Sequence, residues 1–299
     1  MVVLKRFFLF FLVNLLVVTT ISLLLNLFNI RPYLGAYGLD INSLLIFSFL
    51  WGMGGAFLSL LLSRKMAKWL LGVNILSFNT QDPESKELLH MIEKLSKDAG
   101  IAMPQVGVYV SKEVNAFATG PSQKRSLVAV STGLLEKMNK KEIQGVLAHE
   151  ITHIANGDMV TMTLLQGIVN AFVMFLARAL AYLVSGMGRN QKNNSYLSYM
   201  LFVFLFETIF MFFGMIVLAF FSRRREYSAD MGGARLAGKE NMIAALQNLR
   251  VLQEIRVPKM EHASLQALKI SPNKYRGILS LISTHPPLEE RIERLKLFV

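Results

Sequence analysis

Four long apolar runs dominate the pattern of hydrophobic and polar positions along this chain. A helix needs about 20 apolar residues to cross a bilayer, and each run reaches that length. The predicted transmembrane helices are residues 1–30, 39–63, 159–185 and 196–222. The first begins with the basic pair Lys5 and Arg6, as a signal peptide would. It is too long for the apolar core of a signal peptide, so we expect a retained anchor.

The third and fourth runs each contain one charged residue, Arg178 in the third and Glu207 in the fourth. A charge inside a membrane helix usually has a partner or faces a polar cavity. Counted from the connecting loop at 1.5 Å per residue, the two residues lie at depths of about 10 and 16 Å, so they could pair across a hairpin. The alternative is that Arg178 snorkels while Glu207 faces a polar interior.

Composition and charge agree with a membrane protein. Only 17% of residues are charged, against about 25% in a typical soluble domain. If all four runs cross, the basic clusters at residues 5–6, 64–65 and 223–225 lie on one side, which the positive-inside rule identifies as the cytoplasm. The net charge is +12, but the sequence contains no nucleic-acid-binding motif, so nucleic acid is not an expected partner.

The two stretches outside the bilayer, residues 64–158 and 223–299, are expected to form one mainly helical cytoplasmic domain. Asp82 and Pro83 should start a helix that ends at Gly100, and Asn139 forms a capping box with Glu142 at the start of another. Extended segments predict a small antiparallel sheet of three strands at residues 105–111, 114–120 and 126–131. Further helices are expected at about 223–237, 240–255 and 287–298.

The helix that follows Asn139 carries the sequence HEITH. His149 and His153 are four residues apart, so both imidazoles project from one helix face and suit two corners of a tetrahedral zinc site. Glu150 is placed to act as the general base that activates water. The chain has no cysteine, which excludes thiolate ligands. The alternative is two exposed histidines on a solvated face.

A zinc site needs a third protein ligand, and few acidic residues are available downstream. They are Asp158, Glu207, Glu226, Asp230 and then residues from 240 onward. Glu226 and Asp230, in the sequence EYSAD, share a helix face, so the first can bind zinc while the second accepts a hydrogen bond from a ligand imidazole. A hairpin of the third and fourth runs would return Glu226 to the histidines. The alternative is a surface helix with salt bridges.

The combination of these motifs resembles the HtpX family of membrane-bound zinc metalloproteases, which is related to the Ste-type endopeptidases that process prenylated proteins. The resemblance covers nearly the whole chain. It is carried by the four apolar runs and by HEITH at 149–153, EYSAD at 226–230, VNAFATG at 114–120 and STHPPLEERI at 283–292.

The resemblance implies a gluzincin-like cytoplasmic protease domain attached to the bacterial inner membrane, with both termini in the cytoplasm. It implies hydrolysis of misfolded or damaged membrane proteins, or of other unfolded polypeptides, under stress. One zinc ion per chain is expected, with His149, His153 and Glu226 as ligands and Glu150 as the base. Asp230 is expected to accept a hydrogen bond from one of the ligand histidines.

Two further elements depend more on the resemblance. Asn115, Ala116 and Phe117 match the family's edge strand beside the cleft, which can bind a substrate backbone by strand addition; the alternative is an ordinary strand or turn. In the family, His285 and Arg291 lie near the active site, where they are expected to stabilise the oxyanion or orient substrate. The alternative is that His285 only starts a helix and Arg291 forms a salt bridge.

Two other functions remain open. The charges Arg178 and Glu207 suit a transporter or channel, although such a protein has no use for HEITH together with EYSAD. The second alternative function is an inactive scaffold with a structural zinc. Structural sites usually have four protein ligands, and three are found here beside Glu150, which favours catalysis.

Overall fold

The computed structural model describes residues 41–185, 196–256 and 281–297, and the predicted transmembrane helix at residues 1–30 lies outside them. The described helices are α1 (Ile41–Leu71), α2 (Pro83–Asp98), α3 (Thr132–Lys137), α4 (Lys140–Asn156), α5 (Asp158–Ser185), α6 (Tyr196–Ala237), α7 (Lys239–Arg256) and α8 (Leu288–Leu297). The described strands are β1 (Asn74–Ile75), β2 (Gln105–Tyr109), β3 (Ala116–Ser122) and β4 (Arg125–Ser131).

Three of the described helices, α1, α5 and α6, are long and apolar enough to cross a membrane. The predicted runs 39–63, 159–185 and 196–222 correspond to these helices, so the chain is a membrane protein by this criterion. Helix α1 continues past the run to Leu71, because nothing between Ser63 and Gly72 breaks a helix. Gly72, with φ of 60°, follows its last residue.

Helix α6 continues without interruption past the end of the fourth apolar run. The helix predicted separately at 223–237 is the second part of this 42-residue element. No glycine or proline lies between Ser222 and Met231, and the helix continues through Gly232 and Gly233 to Ala237; Gly238, whose φ is 93°, follows. At 1.5 Å per residue the helix is about 63 Å long, twice the roughly 30 Å of bilayer hydrocarbon.

The sheet is mixed and has four strands in the order β1-β2-β4-β3, so the prediction of three antiparallel strands is wrong. Strands β3 and β4 form the expected antiparallel hairpin, but β4 lies between β3 and β2 and pairs parallel with β2, with Val106 opposite Val128. Parallel pairing depends on the path of the chain between strands, which a local pattern does not contain. Strand β1 is two residues long, too short for periodicity to predict it.

The apolar face of α4 packs against the sheet and α2. Leu147, Ile151 and Ile154 are fully buried in one cluster with Val128 and Val130, and each such side chain is worth about 1.5–3 kcal/mol relative to exposure. The predicted capping box at the start of α4 is confirmed, with both hydrogen bonds present. A helix fixed in this way presents its opposite face, with the two histidines, in a defined orientation.

The described residues form two compact units. Residues 41–48, 172–185 and 196–210 belong to one, and residues 49–171, 211–256 and 281–297 to the other. In the first unit the Nη1 atom of Arg178 lies 2.6 Å from Oε1 of Glu207 and 3.1 Å from the Met174 carbonyl oxygen. Of the two alternatives that the sequence left open for these charges, the structure shows the pairing between α5 and α6. The candidate site lies in the second unit.

Candidate metal centre and active site

His149 and His153 on α4 meet Glu226 on α6 at one buried point. The two Nε2 atoms are 3.1 Å apart. Nε2 of His149 lies 3.6 Å from Oε2 of Glu226, and Nε2 of His153 lies 3.4 Å from its Oε1. Within the described residues, these three side chains form a group whose ligand atoms are close enough together to hold a metal ion.

The spacing and chemistry of these donors fit zinc. Ligands about 2.0–2.1 Å from a tetrahedral ion lie about 3.3 Å from one another, and the observed separations of 3.1–3.6 Å bracket that value. Two imidazoles and one carboxylate are a donor set of catalytic zinc sites, in which the fourth position stays open for water or substrate. The residues therefore fit a catalytic ion better than a structural one.

Each histidine also contacts a carboxylate on the side away from this point. Nδ1 of His149 lies 3.0 Å from Oδ1 of Asp230, and Nδ1 of His153 lies 2.6 Å from Oδ2 of Asp158. A neutral imidazole that donates its Nδ1–H to a carboxylate has its lone pair on Nε2, the nitrogen that faces the centre. The contact of Asp230 with a histidine was expected, and its supporting role stays a prediction; the contact of Asp158 was not predicted.

Arg291 on α8 lies behind Asp230. Its Nε and Nη2 atoms donate to the two carboxylate oxygens of Asp230 at 2.7 and 2.6 Å, and its Nη1 atom is 3.6 Å from Oε2 of Glu226. The guanidinium is buried. Three elements, α8, α6 and α4, are thereby joined in a chain of contacts from Arg291 through Asp230 to His149.

His285 approaches Glu226 from the solvent side. Its Nδ1 atom lies 2.9 Å from Oε2 of Glu226, and its side chain is 65% exposed. Arg223 on α6 donates to the carbonyl oxygens of Leu281 and Ser283 at 3.2 and 2.9 Å, which fixes the segment that carries His285. The structure therefore brings His285 to the accessible edge of the centre and Arg291 to its buried side.

The cluster of charges shifts the pKa values of its members. Burial alone would lower the pKa of His149, but the carboxylates of Asp230 and Glu226 outweigh it and raise that pKa to about 9. The pKa of His153 is also raised, against burial, by Asp158 and Glu226. Imidazoles must be neutral to bind a metal, so metal binding displaces protons from this cluster.

The approach of α4 to α6 depends on two glycines. A Cβ atom on Gly232 would lie 2.3 Å from Cγ2 of Thr152, and one on Gly233 would lie 3.1 Å from the backbone nitrogen of His149. These residues follow EYSAD and Met231 in the sequence, and their role was not predicted. A pair of glycines within an otherwise regular helix is the signal that could have indicated this close contact.

Glu150 is half-buried and follows His149 on α4. It is not among the donors that converge on the centre, and its role as the base stays a prediction. Strand β3, with Ala116 and Phe117, lies at an edge of the described sheet and packs against α4. Asn115 immediately precedes it, and its backbone N–H donates to Oγ of Ser131 at 3.0 Å.

The long apolar helices and the His-His-Glu centre with its adjacent glutamate define a membrane-bound metalloprotease. Comparison with known families gives the same result, because residues 82–298 match the model described as "Peptidase family M48". The chain belongs to peptidase family M48, a metalloprotease family, and the metal of such proteases is generally zinc.

Relatives match over nearly the full length. A protease HtpX homologue from Bacillus licheniformis is 50% identical, over 98% of this chain and 99% of the relative. Homologues with the same description from Methylacidiphilum infernorum and Bacillus subtilis are each 46% identical over 98% of this chain, and over 98% and 99% of their own length.

One solved structure, the crystal structure of S. mikatae Ste24p, is similar with a TM-score of 0.60 and 19% sequence identity. The match covers 92% of this chain and 66% of the other, so this chain spans somewhat less than two thirds of the Ste24p chain. At this identity the likeness shows a shared fold alone.

Proposed function

We propose that this chain is a zinc-dependent endopeptidase of the bacterial inner membrane that cleaves misfolded or damaged membrane proteins and unfolded polypeptides at the cytoplasmic face. One zinc ion per chain is held by His149, His153 and Glu226. The observation that carries the proposal is the convergence of these three donors at 3.1–3.6 Å.

The reaction is hydrolysis of a peptide bond. When bound, zinc would polarise the scissile carbonyl and acidify water, as it does in hydrolytic enzymes generally. Glu150 accepts the proton of the attacking water and passes it to the leaving amine. His285 lies at the exposed edge of the centre, and in this proposal it donates a hydrogen bond to the oxyanion that forms on the substrate.

The substrate backbone binds beside strand β3. As an edge strand it offers backbone groups to an extended peptide, which would add to the sheet. Asn115, Ala116 and Phe117 form the start of this edge. Strand addition recognises backbone rather than side chains, which suits an enzyme that cleaves unfolded segments of many sequences.

The position of the centre along the chain favours substrates at the membrane surface. Glu226 follows Ser222, the last residue of the fourth apolar run, by four residues, or about 6 Å at 1.5 Å per residue. His153 precedes Met159, the first residue of the third run, by six residues. The basic clusters flanking the runs favour a cytoplasmic location for residues 64–158 and 223–299.

The experiment compares two variants of the detergent-purified chain for bound zinc and for cleavage of casein. Glu150→Gln should retain zinc and lose about 10²–10⁴-fold in rate, because the glutamate handles protons without binding the metal. Glu226→Gln should lose both zinc and activity, because it removes a charged ligand and keeps the shape.

A zinc-stabilised scaffold would give a different result, namely bound zinc in the wild-type chain without zinc-dependent cleavage. Wild-type cleavage by the Glu150→Gln variant would also refute the mechanism. Full zinc occupancy in Glu226→Gln would show that the third ligand is wrong.

A further inference from the structure

The contact between His153 and Asp158 is the shorter of the two contacts that the histidines of the centre make through Nδ1. Nδ1 of His153 and Oδ2 of Asp158 are 2.6 Å apart, compared with 3.0 Å for the matching contact of His149 with Asp230. Both His153 and Asp158 are buried. The carboxylate therefore forms a short hydrogen bond in a place where water does not compete for it.

The chain makes this contact by a sharp turn. Helix α4 ends at Asn156, and Gly157 has the left-handed conformation with φ of 70°; its N–H points to the carbonyl oxygens of His153 and Ile154. Helix α5 begins at the next residue, Asp158. In a continuous helix, residues five apart point in directions about 140° apart. The reversal at Gly157 is what returns the carboxylate to His153.

We propose that Asp158 is a positioning residue of the metal centre. It accepts the Nδ1–H of His153, which holds the imidazole in the tautomer whose Nε2 lone pair faces Nε2 of His149 and Oε1 of Glu226. The first residue of the predicted transmembrane helix α5 thus supports a metal ligand. This inference rests on the proposed zinc function, and it deepens that function.

The arrangement gives each histidine its own carboxylate. Asp230, behind His149, is in turn held by the two donors of Arg291. Asp158 is held by its place in the first turn of α5, where the positive end of the helix dipole favours a carboxylate. The alternative is that Asp158 only stabilises the start of α5. Its replacement would then lower folding stability without changing the orientation of the His153 imidazole.

The test measures zinc affinity in the full-length chain by competition with a chromophoric chelator, and the absorption spectrum of the cobalt-substituted chain. Asp158→Ala should bind zinc about 10–100-fold more weakly and alter the cobalt spectrum. Asp158→Asn should lose less, because an amide oxygen still accepts the Nδ1–H. The control is Thr161→Val in the same turn, since Thr161 is exposed and its hydroxyl donates to the Gly157 carbonyl oxygen at 3.3 Å; it should match the wild type in both measurements.

Wild-type affinity and spectrum in Asp158→Ala would overturn the inference even if the variant unfolds at a lower temperature. If that variant does not fold, the isosteric Asp158→Asn decides, and equal affinity there is also a refutation. Glu226→Gln, measured beside them, separates the two proposals. Zinc lost in Glu226→Gln but kept in Asp158→Ala would leave the proposed function standing without this inference, whereas a wild-type chain that binds no zinc would refute both.

Discussion

Two buried arginine–carboxylate pairs, one in each compact unit, have the same chemistry and different surroundings. Arg178 reaches Glu207 through one nitrogen and one oxygen, at 2.6 Å, and the same nitrogen bonds back to its own helix. Arg291 uses two nitrogens on both oxygens of Asp230, at 2.7 and 2.6 Å. The important difference is what else the carboxylate contacts, because Asp230 also contacts Nδ1 of His149.

The comparison indicates that a buried ion pair acquires a functional role through what its carboxylate touches. Replacing both partners of a buried pair by apolar residues is often neutral or stabilising, while removing one partner is strongly destabilising. The Arg178–Glu207 pair should follow this rule. The Arg291–Asp230 pair should not, since its carboxylate also contacts His149, a proposed metal ligand.

The largest effect is expected for Arg291→Met. The change leaves Asp230 and Glu226 buried beside each other without a guanidinium, a loss of about 3–5 kcal/mol for a broken buried pair. Zinc affinity and the rate of casein cleavage should fall by about 100-fold, the upper end of the loss expected when a group behind a ligand is removed. Arg291→Lys should recover only part of this, because lysine has no planar fork for two oxygens.

The control for this prediction is Arg294→Met on the same helix. Arg294 is exposed, pairs with Glu290 at 3.2 Å and lies over the ring of Tyr227. Exposed pairs contribute about 0–1 kcal/mol, so this variant should bind zinc like the wild type. Equal zinc affinities in the two variants would remove the distinction between the pairs.

The sequence predicted the parts of this site that depend on local spacing. The i, i+4 pairs His149–His153 and Glu226–Asp230 follow from helical periodicity, as do the capping box at Asn139 and the extent of the apolar runs. The depths of Arg178 and Glu207 in the two runs allowed their contact but left the alternative of a snorkelling arginine open. In each case the relevant distance is set by the regular geometry of a helix.

The sequence did not predict features that depend on how separate elements meet. The parallel pairing of β2 with β4 depends on the chain path between them, and the contact of Gly232 with Thr152 depends on the packing of α6 on α4. Asp158 was considered only as a possible third ligand. Its contact with His153 requires the turn at Gly157, whose left-handed conformation the pattern did not reveal.

A smaller effect is expected for Asp230→Asn. The amide oxygen still accepts a hydrogen bond from His149, and Arg291 keeps its neighbour Glu226 at 3.6 Å. The loss should therefore be about 10–100-fold in zinc affinity or activity, less than for Arg291→Met. Titration of zinc into both variants in the same detergent checks this order, and a greater loss in Asp230→Asn would reverse our assignment of roles.

Arg178→Met should affect stability and leave the metal centre unchanged. It leaves the Glu207 carboxylate in an apolar environment without its arginine, which is unfavourable in a membrane helix. The midpoint of thermal unfolding in detergent should fall by several degrees, while zinc affinity stays within about twofold of the wild type, well below the 10–100-fold expected for the loss of a group that supports a ligand. A large loss of zinc affinity here would show that this pair, too, supports the site.

The smallest effect is expected when both partners of the first pair are replaced, in Arg178→Met with Glu207→Met. No buried charge is left, so the thermal midpoint should return close to that of the wild type, and zinc affinity should again be unchanged.

The matched double variant, Arg291→Met with Asp230→Leu, also leaves neither member of its pair charged, but His149 then has no acceptor for its Nδ1–H. Its stability should recover relative to Arg291→Met while its zinc affinity does not. Measuring the midpoint and the zinc dissociation constant for both double variants therefore separates the contribution of an ion pair to folding from its contribution to the centre. Recovery of zinc affinity in the second double variant would show that Asp230 serves only to neutralise Arg291.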